Sequence, residues 1–171
     1  MTKHFRTSLK LALAVAAVAI TPSALAIDAT ANSSATVMQP LNITVAEHLA
    51  FGKFGVGAGG SVTISTSGVR SSSGVVEMGG TTTAAKFDVT GEAGATYTIA
   101  LAPTTLTSGG NSMSFVTVSD LTGANATSGN AASGTLTGGA QSIYVGGVLT
   151  VGAAQAAGLY SGTLTATVQY N

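Results

Sequence analysis

The C-terminal residues carry the pattern that most restricts the fold. From Gly158 the chain reads G-L-Y-S-G-T-L-T-A-T-V-Q-Y before Asn171, and every second residue is glycine or apolar: Gly158, Tyr160, Gly162, Leu164, Ala166, Val168 and Tyr170. Side chains alternate between the two faces of a strand, so this phase predicts a half-buried strand. Leu159, Ser161, Thr163, Thr165, Thr167 and Gln169 occupy its other face. A long alternating strand with nothing folded over it presents a row of backbone donors and acceptors to a partner.

The rest of the chain repeats this behaviour in shorter pieces. It is rich in Thr, Ser, Val, Gly and Ala, and few stretches have the composition of a helix. Alternating runs occur at Leu41-Ile43-Val45, Val62-Ile64, Phe87-Val89, Tyr97-Ile99-Leu101, Met113-Phe115 with a phase change to Val116-Val118, Ile143-Val145 and Val148 to Val151. Turn-prone clusters separate them, at Gly57 to Gly60, Ser71 to Gly74, Met78 to Gly80, Ser108 to Asn111 and Gly138-Gly139. About eight short strands with regular turn signals predict an all-β fold, an immunoglobulin-like β-sandwich over residues 41–171. Leu121 to Gly134 is the least regular stretch and is expected to be a surface loop, and Gly152 to Gly158 a connection into the last strand.

The N-terminus predicts the compartment. Lys3, Arg6 and Lys10 precede the apolar run Leu11 to Ile20, and Ala24-Leu25-Ala26 places small residues where a signal peptidase reads them. Residues 1–26 are expected to be a signal peptide, because the apolar run is about half the roughly 20 residues needed to cross a bilayer. The remaining chain is expected to be secreted, passing through the periplasm to the cell surface or beyond. It carries Lys53, Arg70 and Lys86 against Asp28, Glu47, Glu77, Asp88, Glu92 and Asp120, a formal balance of −3. This balance argues against nucleic acid, whose binders cluster Lys and Arg. With no cysteine, stability must come from packing and backbone pairing.

Little in the sequence predicts catalysis. His48 beside Glu47 is the one histidine after the leader, and a lone His with a neighbouring acid reads first as a surface pair. Neither a metal site nor a cofactor site is expected, since the ligands for zinc cannot be assembled and no glycine cluster precedes a helix. The serines lack a G-x-S-x-G context and share a single candidate base. Carboxylate pairs of the glycosidase kind are open in principle, but the acids stand at turn or strand-surface positions. The chain is therefore expected not to be an enzyme.

Five segments carry a family resemblance: L-N-I-T-V at Leu41 to Val45, L-A-F-G at Leu49 to Gly52, F-D-V-T-G-E-A-G-A-T-Y-T-I-A-L at Phe87 to Leu101, V-G-G-V-L-T-V at Val145 to Val151, and Gln155 to Asn171. Together they resemble the secreted bacterial domain of unknown function 4402. The terminal strand also resembles that of chaperone–usher pilins, including spore-coat-U-like subunits, with Tyr170 penultimate and Gly158 fourteenth from the end. That resemblance implies an immunoglobulin-like domain lacking one strand, supplied first by a periplasmic chaperone and then by the N-terminal extension of the next subunit. It implies a homopolymer or a fibre of related subunits, assembled at an outer-membrane usher. The chain departs from many pilins in having no disulfide.

Residues 27–40 form the N-terminal extension, and within it Ile27, Ala29, Ala31, Ala35 and Val37 share one phase, broken at Ser33. They are the candidate donor strand. The row is made of small side chains, so the backbone ladder must supply much of any affinity. A first strand paired within its own chain, or a flexible N-terminus, explains the same residues. Gly158, Tyr160, Leu164, Ala166, Val168 and Tyr170 are the candidate groove for a chaperone or donor strand. The competing expectation is a self-complete secreted or surface-associated β-sandwich with a binding or adhesive role. An outer-membrane barrel fits less well, since its strands are about ten residues long with aromatic girdles.

Overall fold

The computed structural model describes residues 26–103 and 105–171. The expected signal peptide therefore lies outside the described residues, Ala26 excepted. Among the described residues no helix is long and apolar enough to cross a membrane.

The secondary structure is almost entirely strand, and no α-helix occurs among the described residues. The chain forms β1 (Asn42–Glu47), β2 (Ala50–Phe51), β3 (Phe54–Gly55), β4 (Gly60–Ile64) and β5 (Arg70–Ser73). It continues through β6 (Val76–Glu77), β7 (Thr82–Thr83), β8 (Ala85–Thr90), β9 (Thr96–Pro103) and β10 (Leu106–Ser108). The last third contains β11 (Asn111–Met113), β12 (Phe115–Asp120), β13 (Ser133–Thr135), β14 (Ala140–Val151) and β15 (Leu164–Tyr170). Every one of these pairings is antiparallel and no sheet closes on itself.

β14 organises the larger sheet. One flank pairs with β12 from Tyr144 to Leu149, while the other pairs with β8 along Ala140 to Val145 and with β4 along Gly147 to Val151. β8 and β4 thus follow each other along a single edge, and β1 and β5 extend the sheet from them. Gly146 sits at the junction, where a Cβ would overlap the carbonyl oxygen of Ile64. The two expected runs Ile143-Val145 and Val148 to Val151 are thereby one strand, because Gly146-Gly147 lets the backbone of β4 come close without ending β14. The smaller sheet has the order β13-β9-β15.

The two sheets turn apolar faces to a common core. Phe87 and Val89 of β8, Tyr97 and Ile99 of β9, Ile143 and Val145 of β14 and Leu136 form one buried cluster. A second cluster joins Val62 of β4, Met113, Phe115, Leu149 and Val151. Leu49 and Leu164 pack against both.

Other expectations change as well, and the expected loop Leu121 to Gly134 gives its last two residues to β13. The final strand begins at Leu164, not Gly158, because Gln155 to Tyr160 curls into a loop: the Tyr160 hydroxyl donates to the Ala156 carbonyl at 2.8 Å and accepts from Gln155 Nε2 at 2.7 Å. The Ser71 to Gly74 cluster is not a turn, since Arg70 to Ser73 is β5, paired with β4 from Ile64 back to Ser61, and Gly74, at positive φ, only kinks the arm before β6 continues it against β3. The phase change expected at Val116 does not occur there. Phe115 and Thr117 face the core and Val116 faces out, while Val118 and Ser119 are both buried because the Gly129 to Ala131 loop covers this end of β12.

Candidate functional site

β15 keeps the predicted phase. Leu164, Ala166, Val168 and Tyr170 are half-buried and the residues between them are exposed. Its pairing with β9 fixes where its backbone points. The Asn171 N–H donates to the Thr96 carbonyl, so in an antiparallel ladder the odd-numbered residues turn their N–H and C=O groups to β9 and the even-numbered ones turn theirs away. The four core-facing residues are therefore the four whose backbone faces the strand's outer edge, and β9 is β15's one sheet neighbour among the described residues. β1 is likewise an edge, paired with β8 alone. Leu41 and Ile43 on one side and Leu164, Ala166, Val168 and Tyr170 on the other pack against the same cluster. Among the described residues β1 and β15 are thus two edge strands that border one core.

Along β15 the two ends of this seam differ. At Tyr170 it is closed by three hydrogen bonds. The Tyr170 hydroxyl donates to the Gln39 carbonyl at 3.0 Å and accepts from the Glu92 N–H at 2.7 Å, while the Gln39 N–H donates to Glu92 Oε2 at 3.0 Å. The hydroxyl reaches this position because residue 91 is glycine, where a Cβ would overlap it.

At Leu164 the seam opens into an apolar cleft of about 1410 Å³. Ala85 and Phe87 of the first cluster and Met113, Phe115 and Leu149 of the second form its inner surface, so it lies where the two clusters diverge. One wall is the segment Leu49 to Val56. Two short ladders, β2 with β7 and β3 with β6, hold this segment, and the Phe51 ring meets Phe115 edge-on with centroids 5.7 Å apart. Arg70 staples the wall from behind, donating to the carbonyls of Lys53 at 3.2 Å and Gly79 at 3.1 Å and pairing with Glu77 at 3.2 Å. The opposite wall is Gln155 to Leu164, shaped by the Tyr160 bonds. β1 is bulged between Val45 and Glu47, which bends its end toward the cleft, and both residues line it.

The six candidate groove residues therefore divide. Gly158, Tyr160 and Leu164 line the cleft, whereas Ala166, Val168 and Tyr170 pack against the first cluster toward the closed end. Of the candidate donor residues, Ile27, Ala29, Ala31 and Ala35 lie in an N-terminal segment with no strand or helix, and all are exposed, as is Val37. Leu49, Phe51, Phe54, Leu106, Met113, Phe115 and Leu149 also line the cleft, and sequence reasoning did not single them out for a site. A concentration of phenylalanines around Phe51-Gly52-Lys53-Phe54 in a chain otherwise short of aromatics was the available signal.

Among the described residues no buried side-chain polar atom lacks a hydrogen-bond partner. Burial pushes the Asp120 carboxyl up, but bonds from the Thr66 hydroxyl and the N–H groups of Thr122, Gly123 and Ala124 outweigh it and hold the group below its ordinary value. The Ser142 hydroxyl chiefly, with Lys86, lowers Asp88. Burial raises the Tyr97 phenol. His48 lines the cleft, its carbonyl accepting from the Thr83 hydroxyl at 2.6 Å. Among the described residues no three His, Cys, Asp or Glu side chains gather as a metal site.

An all-β domain in which, among the described residues, the edge strand β15 lies beside an open apolar cleft is the class that fold and site define. The family described as domain of unknown function 4402 matches residues 41–170, and the chain belongs to it. Neither the curated proteins nor the solved structures contain a match.

Proposed function

We propose that this chain is a non-enzymatic structural subunit of a bacterial surface fibre, assembled by donor-strand exchange. In this reading the fold is an immunoglobulin-like sandwich lacking one strand, and the segment Ile27 to Val37 of a second copy completes it. The observation that carries the proposal is the coincidence at β15 of half-buried apolar side chains and outward-facing backbone groups on the same residues, beside an open cleft. A strand laid along that edge would bury the row and pair the backbone at once.

The energetics suit an extended occupant. Apolar surface buried contributes about 25 cal/mol per Å², so alanines at three of the five donor positions yield little from side chains. Each backbone hydrogen bond adds about 0.5–1.5 kcal/mol net, and a ladder of several makes up the difference. An aqueous cleft lined by phenylalanines is costly to leave empty during export, which favours a periplasmic chaperone that fills it until an outer-membrane usher delivers the next subunit. Export itself is assigned to the leader at residues 1–26.

The test is a heat series on denaturing gels, using the chain made in the periplasm and a deletion of Ile27 to Val37. Strand exchange predicts an unboiled ladder of multimers that collapses on boiling and is absent from the deletion. A single monomer band for both, with the same cooperative melting in solution, overturns it and leaves a self-complete secreted domain.

A further inference from the structure

The cleft wall that carries Phe51 and Phe54 belongs to one long ribbon. Residues 42–64 run antiparallel to residues 70–90, first as β1 with β8, then as β2 with β7, β3 with β6 and β4 with β5. Both ends of the ribbon lie in the larger sheet, where β8 pairs with β14 as far as Val145 and β4 pairs with it from Gly147 to Val151. The middle has no further strand beside it among the described residues. It leaves the sheet beside Val145 and returns beside Val151, a span of roughly 20 Å at about 3.4 Å per residue. Residues 48–59 and 74–84 bridge that span and could reach about twice as far, so the ribbon bows out as a strap. Phe51, Phe54 and Val75 of the strap pack against the second cluster.

Glycines at positive φ bend the strap at both ends, Gly59 and Gly74 toward β4 and Gly52, Gly79 and Gly80 toward β2. The β4 bend is pressed against the body, since a Cβ on Gly59 would meet the Ala153 backbone at 2.8 Å. The β2 bend is looser. A Cβ on Gly80 would meet Lys53, one on Gly79 would meet nothing within 4 Å, and one on Gly52 would touch Thr82 and the Arg70 guanidinium. Lys53 and Thr82 are strap residues, so Arg70 is what the sheet supplies here. It stands at the head of β5, opposite the fully buried Ile64. From there it donates to the Lys53 and Gly79 carbonyls, which also accept the cross-strand bonds of the bend from the Met78 and Lys53 N–H groups. Its other terminal nitrogen pairs with Glu77, whose second oxygen accepts from the Ser72 hydroxyl of β5.

We propose that residues 48–59 and 74–84 form a hinged strap and that Arg70 is its latch, so that the width of the cleft depends on one guanidinium. The β2–β7 and β3–β6 ladders are two residue pairs each, too short to hold the strap in place by themselves, and Phe51 and Phe54 are only half-buried. With the latch closed, β3 and β6 keep Phe54 and Met78 on the lining of the cleft. With it open, rotation about Gly52, Gly79 and Gly80 carries that wall away from Gln155 to Leu164 and the cleft widens. A wall that swings adjusts to the bulk of an occupant, whereas a fixed wall dictates it. The inference concerns the cleft wall alone and does not depend on strand exchange.

Native-state hydrogen exchange on the full chain tests the latch, and the multimer ladder that tests strand exchange is read separately. In the unaltered protein the Lys53 and Met78 amides should open more readily than the paired amides of β14. Arg70→Gln should speed exchange at residues 50–55 and 76–83 about ten-fold or more, as expected for lost charge-assisted hydrogen bonds, and leave residues 140–149 unchanged. Arg70→Lys should behave much as Arg70→Gln does, because an ammonium lacks the planar fork that reaches two carbonyls and a carboxylate together. In a chain without native cysteine, Phe54→Cys should react faster with a thiol reagent once Arg70→Gln is added. Strap amides that exchange only by global unfolding in the unaltered chain overturn the hinge. A strap that exchanges at the unaltered rate in Arg70→Gln overturns the latch, since packing of Phe51 and Phe54 then holds the wall. A speed-up spread equally over β14 also overturns it, because the strap is then no separate unit.

Discussion

The two ends of β15 obey the same alternation and meet different surroundings. At Tyr170 the apolar row runs into a closed corner, where Leu41, Val89, Tyr97 and Leu136 pack around it and Gln39 and Glu92 take up the phenolic hydroxyl. At Leu164 the row meets a cleft, because Leu49 to Val56 and Gln155 to Tyr160 stand apart instead of touching. The difference shows that an alternating strand defines which face is apolar and not whether that face is covered. Cover depends on what the rest of the chain brings to the edge.

The largest expected contrast is in core truncation. Ile143→Ala, in the closed cluster where the side chain is fully buried, should cost about 2–5 kcal/mol in urea denaturation. Phe54→Ala, on the cleft wall, should cost clearly less in the monomer, since water already reaches that ring. Equal losses would mean that the cleft is collapsed in solution. On the strand-exchange proposal the difference should narrow in multimers, where a donor strand in the cleft would restore burial to Phe54.

The closed corner is probed next by Tyr170→Phe. Removing the hydroxyl keeps the ring but leaves the Glu92 N–H and the Gln39 carbonyl without this partner, a loss of about 1–3 kcal/mol. Gly91→Ala should do at least as much, because its Cβ occupies the hydroxyl's place. Hydrogen exchange should then quicken at residues 39–43 and 168–171. Unchanged exchange there would show that the corner is held by packing alone.

Acid provides a third separation. The Asp120 carboxyl is held below its ordinary value in the folded chain, so its contribution to stability is fully present above about pH 4, the unfolded value, and fades as pH falls through the folded value. Asp88 follows the same sign. Thermal midpoints should therefore decline below pH 4, and Asp120→Asn should flatten the decline while exposing the Leu121 to Gly129 loop. The smallest effect belongs to Val116→Thr, an outward-facing position on β12 where the change should lie within about 0.5 kcal/mol by the same denaturation.

Much of the fold was legible in short-range pattern. The phases at Phe87-Val89, Tyr97-Ile99 and Leu164 to Tyr170 place the right side chains inward, and the Gly109-Gly110 signal lies at the reversal between β10 and β11. Arg70 to Ser73 was not legible. Nothing apolar marks those residues, and they become a strand because β4 offers an edge and Arg70 finds Glu77 and two carbonyls. Gly158 to Thr163 failed for the opposite reason, since its alternation suits a strand but the Gln155 to Tyr160 hydrogen bonds and glycines at 158 and 162 favour a loop.

By itself the sequence determined local direction: where strands can run, which face of each is apolar, and where glycine permits reversal. Those properties depend on neighbours two to four residues apart, and the chain carries them into any arrangement. Tertiary structure alone decided that Gln39 meets Tyr170 across 131 residues, that β8 and β4 share one flank of β14, and that the apolar row is sealed at one end and open at the other. These outcomes rest on which edges find partners, a competition among all strands at once that no single segment encodes.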